Sequence, residues 1–456
     1  MRKTDVRKEI IKYAGPGILG LVANSLYIVV DGIFVAKMLG ANSLAAVTTV
    51  VPIVEILIAL SLMISIGGGI YISICQGKGQ LEESRVYFNH GLVFTIGISI
   101  GILILGILLR SQIVGALGAT PDIMDEAINY FTWFIAFVPF FTLNYALGTW
   151  IRNDGKPNLA MAGQVIGAIA NIVLDYIFMG PLNMGIAGAA IATGLGPVIG
   201  IAIVMPHFLG KKGTLYIEKF KWSWKYIKDI LIGGLPSFSI EFALGAMSFL
   251  CNLFISAKLG AQGLAAFGVI GYINLILLSV FLGIGQGTQP LVSRFYGQSD
   301  LESIQYIYKF SASFSFLLGV IGYGLLLFVK APITAIFIDS SDIELTNLTM
   351  NAINLFFITF AITGVNVATA SIFEAKHSVA YSIMISFLRA FGLLLPTLFV
   401  MNTLGNSMAL WLAVPIAEVL TLPVSLLLWK RDSRETKEQF EKSRASKTLG
   451  EKVQEY

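Results

Sequence analysis

Six ionisable side chains lie inside long apolar stretches of this sequence. Ionisable groups are costly in a lipid environment, and those that occur there usually mark an ion or substrate pathway. They therefore identify the positions at which chemistry is to be expected. The six are Asp31, Glu55, Asp175, Glu241, Arg389 and Glu418.

Asp31 and Asp175 differ from the other four because polar residues accompany them at helical spacing. Asn24, Tyr27 and Asp31 stand at i, i+3 and i+7, so they share one face of a helix. Asn171 and Asp175 are i, i+4 neighbours on another helix. With a rise of about 1.5 Å per residue, Asp31 and Asp175 lie roughly 6 to 9 Å below the outer ends of their helices.

Thr193, on the next helix, lies eight residues inward from Gly185, at about the depth of Asn171. Two carboxylates, an amide oxygen and a hydroxyl are hard oxygen ligands, suited to Na⁺. Two carboxylates in close contact cannot both stay ionised at low cost, so the pair is equally suited to hold a proton. The alternative is a polar network that only positions helices.

The elements that must position these residues are membrane-spanning helices. Hydrophobic residues make up 56% of the 456 and charged residues 13%, about half the charged content of a soluble domain. A span needs about 20 apolar residues, and a backbone in lipid must satisfy its own hydrogen bonds, which favours helices. We predict an all-α integral membrane protein with twelve spans, at 14–37, 46–74, 90–109, 127–150, 158–179, 185–207, 230–257, 264–292, 308–329, 347–372, 379–401 and 407–429.

The two halves of the chain repeat each other at an offset of 220 residues. Pro16 aligns with Pro236, and LGANSLAAV from Leu39 aligns with LGAQGLAAF from Leu259. The repeat predicts two pseudo-symmetric six-helix bundles, or lobes, with a substrate path between them. The second lobe has no carboxylates where the first has its site, which argues against a purely structural network. The positions that align with Asp31, Asn171, Asp175 and Thr193 hold Cys251, Phe391, Leu395 and Ala413.

The distribution of basic residues predicts that both termini are cytoplasmic. With the N-terminus inside, most of the 31 Lys and Arg residues fall in inside segments, and Lys37, Arg110, Lys258 and Lys330 fall outside. The net charge of +4 therefore reflects topology, and we expect no nucleic-acid binding. The predicted division is an N-terminal lobe at 1–207, a cytoplasmic linker at 208–229, a C-terminal lobe at 230–429 and a charged cytoplasmic tail at 430–456.

Enzymatic chemistry finds little support in the sequence. His90, His207 and His377 stand singly at span ends, and no metal-protease, serine-hydrolase or phosphate-loop motif occurs. Cys75 and Cys251 lie within apolar spans and are expected to be buried structural thiols. We expect no enzyme activity and no cofactor other than a coupling ion, H⁺ or Na⁺.

Several stretches together resemble the multidrug and toxic compound extrusion (MATE) family. They are YIVVDGIFVAKMLGANSLAAV, IRNDGKPNLAM, NIVLDYIF followed by GAAIATG, and GIGQGTQPLVSRFYG in the second repeat. The resemblance implies twelve helices in two lobes and drug export driven by Na⁺ or H⁺. It also implies a cation site at Asp31, Asn171, Asp175 and Thr193, with Tyr27 beside it and a helix bend at Pro16.

One departure from the family pattern concerns the seventh helix. Some members carry a glutamate nine or ten residues after its proline, where this chain has Gly245 and Ala246. Glu241 comes only five residues after Pro236, so we expect no second cation site there. Asn24, Tyr27 and Glu241 are instead candidates for lining the substrate cavity.

The sequence thus predicts a cation-coupled exporter of amphipathic, mostly cationic organic molecules, which acts as a monomer in the cell membrane. The runner-up is a flippase for lipid-linked precursors, which would favour a cationic cavity. From other classes, a polytopic membrane enzyme or a passive channel remain as alternatives.

Overall fold

The computed structural model describes residues 3–339, 341–404 and 406–454, and these are almost entirely helical, with no strand among them. Short π-helical turns at Val35–Leu39 and Leu388–Gly392 and a 3₁₀ turn at Ser407–Leu412 adjoin the α-helices. In chain order, the helices are α1 (Lys3–Phe34), α2 (Ala41–Gly77), α3 (Leu81–Leu108), α4 (Arg110–Ala116), α5 (Met124–Ala136), α6 (Val138–Asn153), α7 (Pro157–Met179), α8 (Gly185–Leu209), α9 (Trp224–Gly297), α10 (Leu301–Phe337), α11 (Ile343–Phe356), α12 (Phe360–Ala375), α13 (Val379–Phe387), α14 (Leu394–Thr403) and α15 (Ala413–Gln454).

Across the described residues, nine helical stretches are long and apolar enough to cross a membrane. Two bent pairs, α5 with α6 and α11 with α12, pass the same criteria, with bends of 47° and 50°. The 74-residue α9 far exceeds the roughly 20 residues that one span requires. Gly260, with φ 61°, interrupts it, so α9 holds two spans and the architecture is compatible with the predicted twelve.

The offset of 220 residues found in the sequence recurs in the helix boundaries. α3 begins at Leu81 and α10 at Leu301, and α2 ends at Gly77 where α9 ends at Gly297. Both bent spans break at aligned phenylalanines, Phe137 and Phe357. Each lobe has its own buried apolar core, so the two lobes are similar bundles.

The connection between the lobes is shorter than the predicted 208–229. α8 ends at Leu209 and α9 begins at Trp224, so 210–223 form the non-helical link. Asp154 accepts hydrogen bonds from the backbone of this link at Thr214 (2.8 Å) and from His207 (2.6 Å). Ser223 N–H donates to His90 Nε2 at 3.0 Å. His90 and His207 therefore act as anchors of the link.

The predicted tail at 430–456 continues helix α15 as far as Gln454. Asp432, Thr436 and Phe440 recur every four residues and are buried, so this face of the helix packs on the second lobe. Lys376, itself buried, forms an ion pair with Asp432. Its charge compensates the buried carboxylate, which explains why both groups are tolerated there.

The lobes meet through glycines at the end that carries the N-terminus. α2 and α9 make close backbone contact, and an added Cβ at Gly234 would overlap the carbonyl oxygen of Met63. An added Cβ at Gly287 would come within 2.7 Å of Ala14 Cα on α1. These contacts are related by the repeat, because Gly234 aligns with Ala14 and Gly67 with Gly287. Small residues thus let backbones of opposite lobes touch.

We predict that Gly234→Ala destabilises the protein. The new methyl group must push α2 and α9 apart, and overpacking of this kind typically costs about 1–3 kcal/mol. The measurement is the thermal unfolding midpoint of purified protein in detergent. Gly97→Ala is the matched control because a Cβ there meets no atom within 4 Å. Equal midpoints for the two variants would contradict the close contact.

Candidate cation and substrate sites

Three helices of the first lobe bring the predicted cation residues together. α1 carries Asp31, α7 carries Asn171 and Asp175, and α8 carries Thr193. α7 and α8 approach closely because each has a glycine where the two helices cross. A Cβ added at Gly167 would stand 2.8 Å from the carbonyl oxygen of Gly196. This crossing lies one helical turn from Asn171, so it determines how near α8 stands to the site.

Asp31 and Asp175 lie within hydrogen-bonding reach of each other. Asp175 is fully buried and Asn171 nearly so. An ionised carboxylate only accepts hydrogen bonds, so the two groups can bond to each other only through a shared proton. Otherwise, a cation must lie between them to offset their repulsion. The geometry therefore permits either ion that the sequence predicted.

The polar atoms of this site have no other partners in the described part of the chain. Buried polar groups in proteins are nearly always hydrogen-bonded, and an unpaired one calls for an explanation. Here the unpaired atoms belong to the facing Asp31 and Asp175 and to Asn171 and Thr193, which border one cavity, and this fits a site for an ion or for water. They are Asp31 Oδ1, Asn171 Oδ1 and Nδ2, Asp175 Oδ1 and Oδ2, and Thr193 Oγ1.

Tyrosines surround the two carboxylates and limit their hydration. Tyr130 is buried and Tyr27 partly so, and both interact electrostatically with the two aspartates. Tyr272, from the second lobe, lies beside Asp31, and a Cβ at Gly32 would stand 3.2 Å from its hydroxyl oxygen. Electrostatic interactions are strong in such poorly hydrated surroundings. Ion occupancy here should therefore affect the contact between the lobes.

A cavity of about 650 Å³ extends from this site through the first lobe. Asn171 and Thr193 border it, as do the predicted cavity residues Asn24 and Tyr27. At the far end it reaches Arg152, which no part of the sequence analysis assigned to a site.

A second cavity, of about 470 Å³, lies between the lobes. The predicted Glu241 borders it, together with a second buried acid, Glu374, which accepts a hydrogen bond from Ser237. Thr149, Arg152 and Gln286 border both cavities. The two cavities therefore adjoin, with Asn171 and Thr193 bordering one of them and Glu241 the other.

Glu55 lies across the lobe interface from the seventh span. Its Oε2 would be 3.3 Å from a Cβ at Gly245, and it interacts electrostatically with Glu241. Glu55, Glu241 and Glu374 therefore give the region between the lobes a negative character.

Arg389 and Glu418 form a closed polar network in the second lobe. Arg389 Nη2 lies 2.7 Å from Glu418 Oε1, and Asn366 Nδ2 donates to Glu418 Oε2 at 2.7 Å. Ser425 donates in turn to Asn366 at 3.0 Å. Every charged group in this network has a partner, so it is a structural feature that joins three helices.

The remaining predicted residues are placed as follows. Cys75 and Cys251 are buried and unpaired with each other. Pro16 lies inside α1, which runs through it without a break; a bend there stays a prediction. In the described ranges, no group of three or more His, Cys, Asp or Glu could hold a metal. The Asp31–Asp175 site, with its two carboxylates, is suited to a monovalent ion.

Sequence reasoning missed Arg152 and Glu374 because both stand at span ends. Arg152 is among the basic residues predicted to lie on the cytoplasmic side, and Glu374 lies just outside the predicted span 347–372. A usable signal existed for Glu374, because it aligns with Asp154 at the offset of 220. Arg152 aligns with Ile372 and offered no comparable signal.

Comparison with known proteins identifies relatives of the chain along nearly its whole length. The MatE family model matches residues 16–177 and 236–400, once in each repeat. The multidrug export protein MepA of Staphylococcus saprophyticus subsp. saprophyticus is 22% identical over 433 residues, which covers 93% of this chain and 94% of MepA.

Solved structures agree in fold. A MATE crystal structure in complex with MaL6 superposes with a TM-score of 0.91 at 23% identity, covering 95% of this chain and 97% of that one. A MOP superfamily transporter from Pyrococcus furiosus Vc1 gives 0.89 at 22%, with the same coverage. Its binding pocket is described as having reversed polarity that suggests a different function.

We predict that Arg389→Met destabilises the protein strongly, because it leaves Glu418 as a buried charge without a cation. Breaking a buried ion pair by removing one partner costs about 3–5 kcal/mol. The thermal unfolding midpoint should fall, and the double variant Arg389→Met/Glu418→Met should recover much of the loss. A double variant that is less stable than the single one would contradict a purely structural role for the pair.

Proposed function

We infer that this chain, which belongs to the MatE family, is a secondary active multidrug exporter that exchanges amphipathic, mostly cationic organic compounds for H⁺ or Na⁺. It is an integral, multi-pass membrane protein. We place it in the cell membrane as a monomer, with both termini in the cytoplasm.

The observation that carries this proposal is the group of unpaired oxygens at Asp31, Asn171, Asp175 and Thr193. A stable, unoccupied arrangement of two facing carboxylates would be costly in a membrane. Binding of H⁺ or Na⁺ removes that cost. The site therefore favours a cycle in which it takes up an ion from outside and releases it inside.

The cavity between the lobes supports a cationic substrate. Glu241 and Glu374 border it directly, and acidic side chains suit a cationic group of a bound molecule. The flippase alternative would require a predominantly basic cavity for a pyrophosphate headgroup. Two acids and one arginine weigh against it.

The basic residues place the glycine contacts between the lobes at the cytoplasmic side. A cavity that is closed on the cytoplasmic side would open to the outside. Export also requires a second state in which the lobes separate on the cytoplasmic side. Asp31 lies on α1, which also carries Ala14 and Gly17 at the contact between the lobes. α1 therefore provides a direct physical connection between the ion site and the closed end.

We predict that Asp31→Asn and Asp175→Asn each abolish gradient-driven export. The amide keeps the size and most hydrogen bonding of the carboxyl group but removes its titratable charge. The measurement is dye efflux from proteoliposomes with Na⁺ and pH gradients imposed separately.

Asp339→Asn is the matched control, because Asp339 is an exposed acid that borders neither cavity and accepts a local hydrogen bond from Ser341 N–H. It should export like the wild-type protein. Normal export by both site variants at equal expression would remove the basis of the coupling proposal.

We predict that protons and Na⁺ compete for the Asp31–Asp175 site. Na⁺ must displace a shared proton, so raising the pH should strengthen apparent Na⁺ affinity. Calorimetry of Na⁺ binding between about pH 5 and 8 tests this, since two carboxylates in contact exchange their protons as a coupled pair.

Thr193→Ala should separate the two ions. Na⁺ prefers several oxygen ligands, whereas a proton shared by two carboxylates needs no hydroxyl, so the variant should weaken Na⁺ binding and spare the response to pH. Na⁺ affinity that stays constant across the pH range would be incompatible with one shared site.

A further inference from the structure

Arg152 is a buried cation that forms no ion pair with a carboxylate in the described part of the chain. It lies on α6 and is only 3% exposed. Its Nη2 donates to Thr149 Oγ1 at 3.2 Å and to Gln286 Oε1 at 3.3 Å, both neutral acceptors. Nε and Nη1 have no hydrogen-bond partner among the described residues.

Lys376, which is buried as deeply as Arg152, forms an ion pair with Asp432. Burying a charge is costly unless it is paired and hydrogen-bonded. Arg152 is left with two unused donors, which indicates that its partner is a ligand.

Arg152 also stands where a ligand could reach it. It borders the cavity in the first lobe and the cavity between the lobes. In the second cavity it shares the wall with Glu241 and Glu374. The cavity between the lobes is thus lined by a guanidinium group and by two carboxyl groups.

We propose that the cavity between the lobes binds zwitterionic organic molecules, with Arg152 holding their carboxylate and Glu241 and Glu374 facing their cationic group. This inference rests on the proposed export function and specifies its substrate class. A guanidinium group forms charge-assisted hydrogen bonds with a carboxylate, and Arg152 retains Nε and Nη1 as unused donors. Because Nη2 is already engaged, the carboxylate would accept a single hydrogen bond from either of these nitrogens. Neutral contacts from Thr149 and Gln286 hold the guanidinium group without satisfying its charge.

The test compares rhodamine B, which has a free carboxylate beside its cationic ring system, with rhodamine B ethyl ester, which lacks that charge. Binding of each dye to purified protein is measured by fluorescence anisotropy. Arg152→Gln should weaken rhodamine B binding at least about tenfold, the effect of losing a charge-assisted pair. The ester should bind as well as before or better, because a repulsive charge has been removed.

Two further variants sharpen the result. Arg152→Lys keeps the positive charge but not the position of the free donors, so it should weaken rhodamine B binding less than Arg152→Gln does. Lys156→Gln removes a nearby exposed cation and should change neither dye. Unfolding midpoints are recorded for all variants, and Arg152→Lys supplies the comparison if Arg152→Gln does not fold.

Equal weakening of both dyes, or no change in rhodamine B binding, would overturn the assignment of Arg152. The proposed function has a separate readout, which is gradient-driven export of the ester by wild-type protein. Export of the ester that Asp31→Asn abolishes, together with dye binding that ignores Arg152, would refute only the zwitterion site. Absence of gradient-driven export of either dye would count against the exporter itself.

Discussion

The cost of a buried polar group without a partner governs the whole molecule. Most of the chain avoids this cost by being apolar and helical, so that its backbone satisfies itself. In the second lobe, Arg389 and Glu418 are paired, and Asn366 donates to Glu418. In the first lobe, Asp31, Asp175 and Asn171 keep unpaired atoms. The difference separates groups that hold the fold together from groups that await a ligand.

Duplication explains how one scaffold serves both purposes. The two lobes share helix boundaries and bends, and the same glycine positions create their mutual contact. Their polar contents diverge: the position of Asp31 holds Cys251 in the second lobe, and the position of Asp154 holds Glu374. Asp154 anchors the link between the lobes, whereas Glu374 borders the cavity between them. The repeated backbone therefore gives equivalent positions in the two lobes, and the residue type at each position determines its role.

Local and periodic features of this fold could be predicted from the sequence. The number of spans, the repeat and the helical spacing of Tyr27 with Asp31 follow from composition and period alone. The grouping of Asp31 with Asp175 was also accessible, because depth in a membrane orders residues from different helices along one axis. Depth along the membrane normal does not determine how a helix is rotated about its own axis, so the neighbours of Arg389 were not predictable. Glu418 is 29 residues away and meets it only through packing.

Boundaries and span ends were the weaker part. α9 begins at Trp224, six residues before the predicted span, because aromatic and basic residues that suit a membrane interface also form helix. Arg152 stands at the end of α6, where a basic residue already has an explanation in the topology. A basic side chain at the cytoplasmic end of a span can contribute to membrane orientation and also lie buried beside a cavity. Only the packing of Gln286 and Thr149 around it distinguishes the two.

The position of Arg152 also bears on how a substrate and an ion could influence each other. Arg152 borders both cavities, and the first cavity reaches Asn171 and Thr193. Arg152 would neutralise the carboxylate of a bound zwitterion, so the charge that the substrate adds to this poorly hydrated region is its cationic group. Like charges in such surroundings repel strongly, so a bound substrate and a bound H⁺ or Na⁺ should disfavour each other, as exchange requires. Coupling through this field requires no contact between substrate and ion, only the shared cavity that the two lobes enclose.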